Sequence, residues 1–400
     1  MTDRGSDPSA PDAALARVLG VWALTAYGVS VVVGAGVYVA LGEVIARAGP
    51  AAPLSFLLAG LAAALTGLCY ADLSSRWPHA AGAALFVEKG FRSPLMGRLT
   101  GVALTVAVGV AAASIASGAV KFAGAFLPVS PAAALAALIL AFTALAAFGV
   151  RESAGFAALI GVLEIAGLLA AVVAGLQRAP SYDLSVFAPQ GLAQWGGVGA
   201  GAFIAFFAFI GFEALANMGE ETRDAARAVP RAILGAVAIS VVLYALVSAA
   251  VVWGGAAGGD NPLLALFTGP AAVVFASVGA LAVANGALVE IIMLSRLYFG
   301  MARHGRAPAF LARVEPRTRT PVFATLAAGV FVLGVALLIP FERLLTLSNV
   351  LTLGVFVAVD LAAMRVARDP CSPPSALRLP AFVAPIAALV CAALALSEFV

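Results

Sequence analysis

The sequence predicts an all-helical integral membrane protein, and three observations support this prediction. Apolar residues make up 63% of the 400 residues and charged residues only 11%, whereas about a quarter of the residues in a soluble domain are charged. The mean hydropathy is +1.06. The apolar residues form long runs and lack the ten-residue alternation of a membrane β-barrel. A chain of this composition needs a bilayer around it.

Eleven apolar runs are long enough to cross a bilayer, since a helical crossing takes about 20 residues. They lie at about 18–45, 51–75, 95–127, 132–150, 154–176, 198–218, 230–254, 270–300, 321–340, 344–366 and 379–398. The longest links are at about 76–94, 177–197 and 301–320. We therefore predict an N-terminal tail (1–17), one transmembrane core (18–366), and a linker with an eleventh transmembrane helix (367–400).

The positions of lysine and arginine predict the orientation. Most of the 23 such residues fall in segments that are cytoplasmic if the N-terminus is cytoplasmic, and only Arg47, Arg178 and Arg343 fall on the opposite side. Cytoplasmic loops carry an excess of these residues, so the N-terminus is predicted inside and the C-terminus outside. The polar, acid-containing N-terminal segment has no signal-peptide pattern, and the first span is expected to remain in the protein.

Two of the predicted spans are interrupted near their middle by glycine beside bulky residues. The first span carries Gly34-Ala35-Gly36 and the sixth carries Ile210-Gly211-Phe212-Glu213. Close packing of small residues also explains a glycine triplet, but a carboxylate at that depth costs about 2.5 kcal/mol or more. Spans five apart cross in opposite directions, as in two inverted five-helix repeats with broken helices at a substrate site.

These segments resemble the bacterial amino-acid permeases of the amino acid–polyamine–organocation superfamily. Gly34-Ala35-Gly36-Val37-Tyr38 is similar to the family's turn in helix 1, and Phe206–Glu213 is similar to its helix 6. Further similar segments follow in the family's order: Tyr70–Arg76 with Ala81-Gly82-Ala83, Glu220-Glu221 with Val229–Ile233, Asn285-Gly286 with Ser295-Arg296, and Met301–Gly305. The resemblance implies the leucine-transporter-type fold, with inverted repeats at about 18–176 and 198–366.

The resemblance also implies a substrate site at the two interruptions. Backbone N–H groups of the helix 1 break would bind the substrate's carboxylate, and carbonyl groups of the helix 6 break would bind its ammonium group. An aromatic ring, that of Phe212 with Phe207 as a second candidate, would close over the substrate. The implied residues are Ala35, Gly36, Val37, Phe207, Ala208, Ile210 and Phe212. Unsatisfied donors at a helix N-terminus suit an anion.

Four ionisable residues inside the predicted spans are candidates for ion coupling, because charged groups in a membrane are usually functional. Lys121 either extends its ammonium group to the interface or pairs with a buried glutamate. Glu213 either caps the second half of helix 6 or takes part in cation recognition or gating. Glu290 forms a buried ion pair or takes part in coupling.

Glu164 is the strongest of these candidates for proton transfer. It lies about ten residues from either end of its span, which is too deep for a short side chain to reach water. Many sodium-independent relatives have a lysine at the matching position of helix 5, so the lysine mechanism does not transfer to this chain. The predicted eleven spans are also one fewer than most relatives have.

The sequence therefore predicts a secondary active transporter for amino acids in the cytoplasmic membrane, driven by protons or by exchange and working through alternating access. Three buried carboxylates against one lysine leave a polyamine or organic-amine transporter as the alternative. A membrane enzyme or a sensor is a weaker alternative. The two histidines, His79 and His304, fall in predicted loops, the three cysteines have no metal or disulfide spacing, and we expect no catalytic residue, metal or cofactor. The expected partners are a small amino acid or amine, a proton and lipid, and not nucleic acid.

Overall fold

The computed structural model describes residues 19–78, 82–123, 130–148, 153–258, 261–303, 305, 307–318, 320–377 and 379–398. Within these residues every regular secondary-structure element is a helix. β-pairing among them is limited to one isolated bridge between Leu19 and Thr222. The predicted tail at 1–17 and both histidines lie outside the described residues, as does Val400, whose side of the membrane was predicted.

The α-helices of the described residues follow the order of the apolar runs. They are α1 (Val21–Val33), α2 (Ala35–Ala48), α3 (Ala52–Arg76), α4 (Gly82–Phe91), α5 (Pro94–Ala123), α6 (Pro131–Phe148), α7 (Ser153–Arg178), α8 (Leu192–Phe206), α9 (Ala225–Trp253), α10 (Gly269–Arg303), α11 (Val322–Leu338), α12 (Phe341–Arg368) and α13 (Val383–Leu396). The 3-10 segments are Gly49–Ala51, Leu184–Phe187, Phe207–Phe209, Phe212–Glu221, Leu264–Leu266 and Ala309–Ala312.

Eight helical stretches of the described chain are long and apolar enough to cross a membrane. One of them, Gly36–Arg76, contains α2 and α3 joined by a single 3-10 turn at Gly49–Ala51. Three shorter apolar helices, α1, α11 and α13, accompany the eight. The all-helical membrane class predicted from composition is therefore confirmed, while the number of crossings and the inverted repeat remain predictions.

The structure corrects the sequence-based boundaries in two places. The link predicted at 76–94 contains α4, a helix of ten residues whose Gly82, Ala83, Phe86 and Val87 are buried. This spacing places the four apolar residues on one face of the helix, so α4 packs against the rest of the protein through that face only. The sixth run begins six residues earlier than predicted, at Leu192, and its second half is a 3-10 segment instead of an α-helix.

Several of the helix contacts join elements that lie five predicted spans apart. α3 packs against α9, α5 against α10, and α6 against α11. α2 packs against the 3-10 segment Phe207–Phe209, which continues α8. These contacts bring the two interrupted stretches of the chain together at the centre of the fold.

A buried ion pair stabilises the C-terminal end of α3. The Arg76 guanidinium donates to both carboxylate oxygens of Asp72, at 2.9 and 3.2 Å. Its third hydrogen bond, of 2.6 Å, goes to the Pro373 carbonyl. Because the Asp72 side chain is fully buried, the guanidinium both neutralises this carboxylate and attaches α3 to the segment before α13.

A second ion pair lies on the same end of the fold, outside the membrane-spanning helices. Arg92, which follows α4, donates to the Asp369 carboxylate, which follows α12. The Cys371 backbone N–H donates to the same carboxylate. The Cys371 N–H and the Arg92 guanidinium together hold the pKa of Asp369 below its ordinary value.

Candidate functional site

The first interruption is a single residue, Gly34. α1 ends at Val33 and α2 begins at Ala35, and the backbone of Gly34 between them has φ −44° and ψ −136°. Ala35, Gly36 and Val37 therefore form the first turn of α2, where backbone N–H groups have no partner within the helix. The N-cap residue of α2 is Gly34, which has no side chain that could accept from these groups. The three predicted carboxylate-binding residues thus lie where a helix presents backbone N–H groups that a bound anion can accept from.

The second interruption is longer and needs glycine. After the 3-10 turn Phe207–Phe209, Ile210 is extended and Gly211 has φ +123°, a conformation that L-residues rarely adopt. The Glu213 carboxylate accepts a hydrogen bond of 2.8 Å from the Gly211 N–H. Of the alternatives considered for Glu213, this geometry favours the capping role, because the side chain satisfies a donor at the start of the second half-helix.

The two interruptions interlock through glycine. A Cβ atom at Gly36 would lie 2.6 Å from the Cα atom of Ala208, so the start of α2 lies directly against the backbone of the helix 6 break. A Cβ atom at Gly211 would lie 2.9 Å from Cγ1 of Val31 near the end of α1. Each break therefore contacts the other helix at a position where a larger residue does not fit.

Tyr244 of α9 joins the two breaks through its hydroxyl group. The hydroxyl oxygen lies 2.7 Å from the Val32 carbonyl oxygen and 2.9 Å from the Ala208 carbonyl oxygen. The ring is fully buried and packs against Phe56 and Phe209, with ring centroids 5.9 and 5.0 Å away. Tyr244 is not among the site residues predicted from the sequence, where its only signal is a phenol inside an apolar run.

The carbonyl groups predicted to bind an ammonium group are partly engaged. Phe207 O accepts from the Ile210 N–H at 3.3 Å, and Ala208 O accepts from Tyr244. A carbonyl oxygen has two lone pairs, so each can accept a second hydrogen bond. The acceptors are thus present at the break, but two of the three already have a donor.

The aromatic residues of the break lie inside the protein. Phe212 is fully buried and contacts Tyr70 and Phe356, with ring centroids 5.7 and 5.2 Å away. Phe207 is also buried. The predicted lid role of Phe212 therefore requires its ring to leave an aromatic cluster when a substrate enters.

Glu164 lies beside the first interruption. Its Oε2 atom is 3.7 Å from the position of a Cβ atom at Gly34. Its Oε1 atom is buried and has no hydrogen-bond partner among the described residues, and the same holds for Oδ1 of Asn285. The backbone carbonyl of Glu164 accepts from the Tyr38 hydroxyl at 2.9 Å.

The other two coupling candidates lie elsewhere. Lys121 pairs with Glu43 at 3.3 Å, and its ammonium group lies 5.0 Å from the ring centroid of Phe341. The alternative in which Lys121 pairs with Glu164, Glu213 or Glu290 is therefore wrong for this conformation. Glu290 is half-buried in α10.

Lys121 and Glu43 stand near a small polar cavity of about 150 Å³. Its lining residues are Glu43, Arg47, Ile204, Glu342, Arg343, Leu345, Thr346 and Glu398. No sequence pattern indicates that these residues come together, since they belong to α2, α8 and α12 and to the residues after α13.

The fold and these breaks define a polytopic membrane protein with two interrupted helices in contact. The chain belongs to the amino acid permease family, whose sequence profile matches residues 19–400. The family resemblance expected from the motifs is therefore confirmed, and the family lies within the amino acid–polyamine–organocation superfamily.

Three relatives show the range of proteins to which the chain is similar. It is 33% identical over 383 residues to a methylthioribose transporter of Bacillus subtilis (strain 168), covering 88% of this chain and 81% of the relative. It is 28% identical over 395 residues to the branched-chain amino acid permease BcaP of the same organism, covering 92% and 84%. It is 32% identical over 386 residues to the vacuolar cationic amino acid transporter 4 of Arabidopsis thaliana, covering 88% of this chain but only 63% of the relative.

Proposed function

We propose that this protein is a secondary active transporter that moves amino acids across the cytoplasmic membrane by alternating access. The substrate would bind between the start of α2 and the helix 6 break, with Ala35, Gly36 and Val37 facing its carboxylate. The carbonyl groups of Phe207, Ala208 and Ile210 would face its ammonium group, and Phe212 would close the site.

The contact between Gly36 and Ala208 is the observation that carries this proposal. It brings the N–H groups at the N-terminus of α2 next to carbonyl acceptors where helix 6 passes through a 3-10 turn into an extended residue. A helix N-terminus favours an anion, and unwound carbonyl groups favour a cation. A zwitterionic α-amino acid carries both charges on neighbouring atoms, so one small molecule satisfies both sets of groups.

The packing supports the proposed inverted repeat, with halves at about 18–176 and 198–366. If the spans are numbered in order, the contacts α3–α9, α5–α10 and α6–α11 pair spans 2 with 7, 3 with 8 and 4 with 9. The contact between α2 and Phe207–Phe209 pairs span 1 with span 6. Such a pattern is expected where two similar five-helix units pack against each other. We further propose an eleven-span topology with a cytoplasmic N-terminus.

We also propose that Glu164 couples transport to protons. The carboxylate lies beside Gly34, where α1 ends and α2 begins, and no lysine or arginine of the described residues forms an ion pair with it. An ionised carboxylate is costly in a membrane without a cation. Gain and loss of a proton at this position would therefore favour different packings of the broken helix.

Reconstitution into proteoliposomes tests this function. Labelled neutral, branched-chain and cationic amino acids, putrescine and methylthioribose should be offered with and without an imposed pH gradient. We expect uptake of at least one α-amino acid, and loss of binding when either its carboxylate or its amine is removed. Uptake limited to putrescine or to methylthioribose would contradict the proposed recognition of a zwitterion.

A polyamine or organic-amine carrier is the second candidate. Besides Glu164, Glu213 and the half-buried Glu290, the structure contains the buried carboxylate of Asp360, which accepts a hydrogen bond of 3.0 Å from Thr66. None of these four forms an ion pair within the described residues. An excess of buried acid favours a cationic substrate, and a thermal-shift screen in which putrescine outcompetes every amino acid would select this function.

A further inference from the structure

The position of the Tyr244 hydroxyl suggests a role that the helix breaks alone do not require. The hydroxyl oxygen contacts one carbonyl oxygen of each broken helix, 2.7 Å from Val32 O and 2.9 Å from Ala208 O. Val32 is in the last turn of α1, where carbonyl groups have no donor within the helix. Ala208 is in the short 3-10 turn before the chain becomes extended.

The number of hydrogens available at this point is smaller than the number of acceptors. A phenol has one hydroxyl hydrogen, whereas an ammonium group has three N–H donors. The Tyr244 hydroxyl can therefore satisfy Val32 O or Ala208 O well, but not both together. A buried carbonyl group without a full hydrogen bond destabilises the protein. A group with more N–H donors would therefore bind these two carbonyl oxygens more favourably than the hydroxyl group does.

The surroundings of the ring keep the hydroxyl group in place. Tyr244 lies on α9, a continuous helix of 29 residues, and its ring packs against Phe56 of α3 and Phe209. The ring is fully buried. The hydroxyl group is thus held by a rigid part of the fold while the interrupted helices meet at it.

We propose that Tyr244 is a specificity-determining residue whose hydroxyl group takes the place of the substrate's amino group in the empty transporter. On binding, the ammonium group donates to Val32 O and Ala208 O and displaces the hydroxyl group from at least one of them. An α-hydroxy acid offers a single hydrogen at the same place, as the tyrosine itself does, so it gains nothing by the exchange. This inference rests on the proposed function, since it requires a substrate with an amino group.

The variant Tyr244→Phe tests the proposal, because it removes the hydroxyl group and keeps the ring. The affinity for an amino acid that the wild-type protein binds should be measured on purified protein, together with the apparent Tm with and without that amino acid. We expect the Tm of the empty variant to fall and its affinity for the amino acid to rise by about three- to tenfold, since no hydroxyl group has to be displaced. Binding should restore most of the lost Tm, because the ammonium group supplies the missing donor.

Tyr38→Phe is the matched control. The Tyr38 hydroxyl also donates to a backbone carbonyl of a neighbouring helix, that of Glu164 at 2.9 Å, but this carbonyl belongs to neither break. We expect Tyr38→Phe to lower the Tm equally with and without the amino acid and to leave the affinity within about twofold of wild type.

Each outcome decides the question. Affinity of Tyr244→Phe equal to or weaker than wild type would overturn the role of Tyr244 while leaving the proposed function intact. A variant that cannot be purified even in saturating amino acid would also overturn it, because the substrate should stabilise this variant in particular. If the wild-type protein binds no amino acid in the screen, the proposed function fails before any variant is compared.

Discussion

Replacement of Gly36 by alanine is the sharpest perturbation of the two interlocked breaks. The added Cβ atom would lie 2.6 Å from Cα and 3.3 Å from the carbonyl carbon of Ala208. Both are backbone atoms, so no side chain can rotate away to make room. The start of α2 and the helix 6 break must therefore move apart by about 1 Å to reach ordinary van der Waals contact.

The cost of this movement follows from known overpacking effects. An extra methyl group in a closely packed interior typically destabilises a protein by about 1–3 kcal/mol. Alanine is preferred over glycine in a helix by up to about 1 kcal/mol, which offsets part of the loss. We expect a net destabilisation of about 1–2 kcal/mol. Because the donors of α2 move away from the acceptors of the helix 6 break, substrate affinity should fall about ten- to hundredfold.

Thermal unfolding in detergent and equilibrium binding of a labelled amino acid measure the two effects. Gly354→Ala is the matched control, since Gly354 lies within α12 and a Cβ atom there meets no atom within 4 Å. Alanine at that position should leave stability unchanged or raise it, with unchanged binding. Wild-type affinity and Tm in Gly36→Ala would refute the close contact between the two breaks.

Three further predictions concern charged groups. Arg76→Met should destabilise the protein by about 3–5 kcal/mol, because it leaves the buried Asp72 carboxylate without its partner; thermal unfolding measures this, and adding Asp72→Asn should restore part of the loss. The depressed pKa of Asp369 means that its hydrogen bonds contribute to stability above the ordinary aspartate pKa and are lost in acid. The Tm difference between wild type and Asp369→Asn should thus be constant from about pH 6 to 8 and shrink only below about pH 4. A Tm difference that has already disappeared at neutral pH would contradict this. Glu164→Gln should keep substrate exchange in proteoliposomes but lose accumulation driven by a pH gradient.

The class of the protein and the positions of its two breaks could be predicted from sequence because both are local properties. Hydropathy over about 20 residues identifies a helix in lipid. Gly34 and Gly211 stand out within such runs, because glycine is unfavourable in the middle of a helix. The predicted Gly34-Ala35-Gly36 turn proved narrower in the structure, where only Gly34 leaves the helical conformation. A sequence pattern can indicate that a helix is interrupted, but it does not identify the residue at which the interruption lies.

Contacts between distant parts of the chain could not be predicted in this way. Lys121 pairs with Glu43, 78 residues earlier, and nothing near either residue in the sequence indicates the other. Tyr244 and Val32 are 212 residues apart. The helix α4 is different, because Phe86 and Val87 already form an apolar face with Gly82 and Ala83 in the sequence. Its ten residues are too few to cross a membrane, so hydropathy alone predicts a link there.

The outcome predicted for Glu164→Gln depends on the place of this carboxylate in the fold. Glutamine has the shape of a protonated glutamic acid, so the packing beside Gly34 is preserved while the exchangeable proton is removed. Exchange needs only the movement of the broken helix, whereas accumulation needs that movement to be linked to a proton. Asp360→Asn is the matched control, because Asp360 is equally buried but bonds to Thr66, which lies in neither broken helix. Gradient-driven accumulation at the wild-type level in Glu164→Gln, or its loss in both variants, would show that coupling does not depend specifically on Glu164.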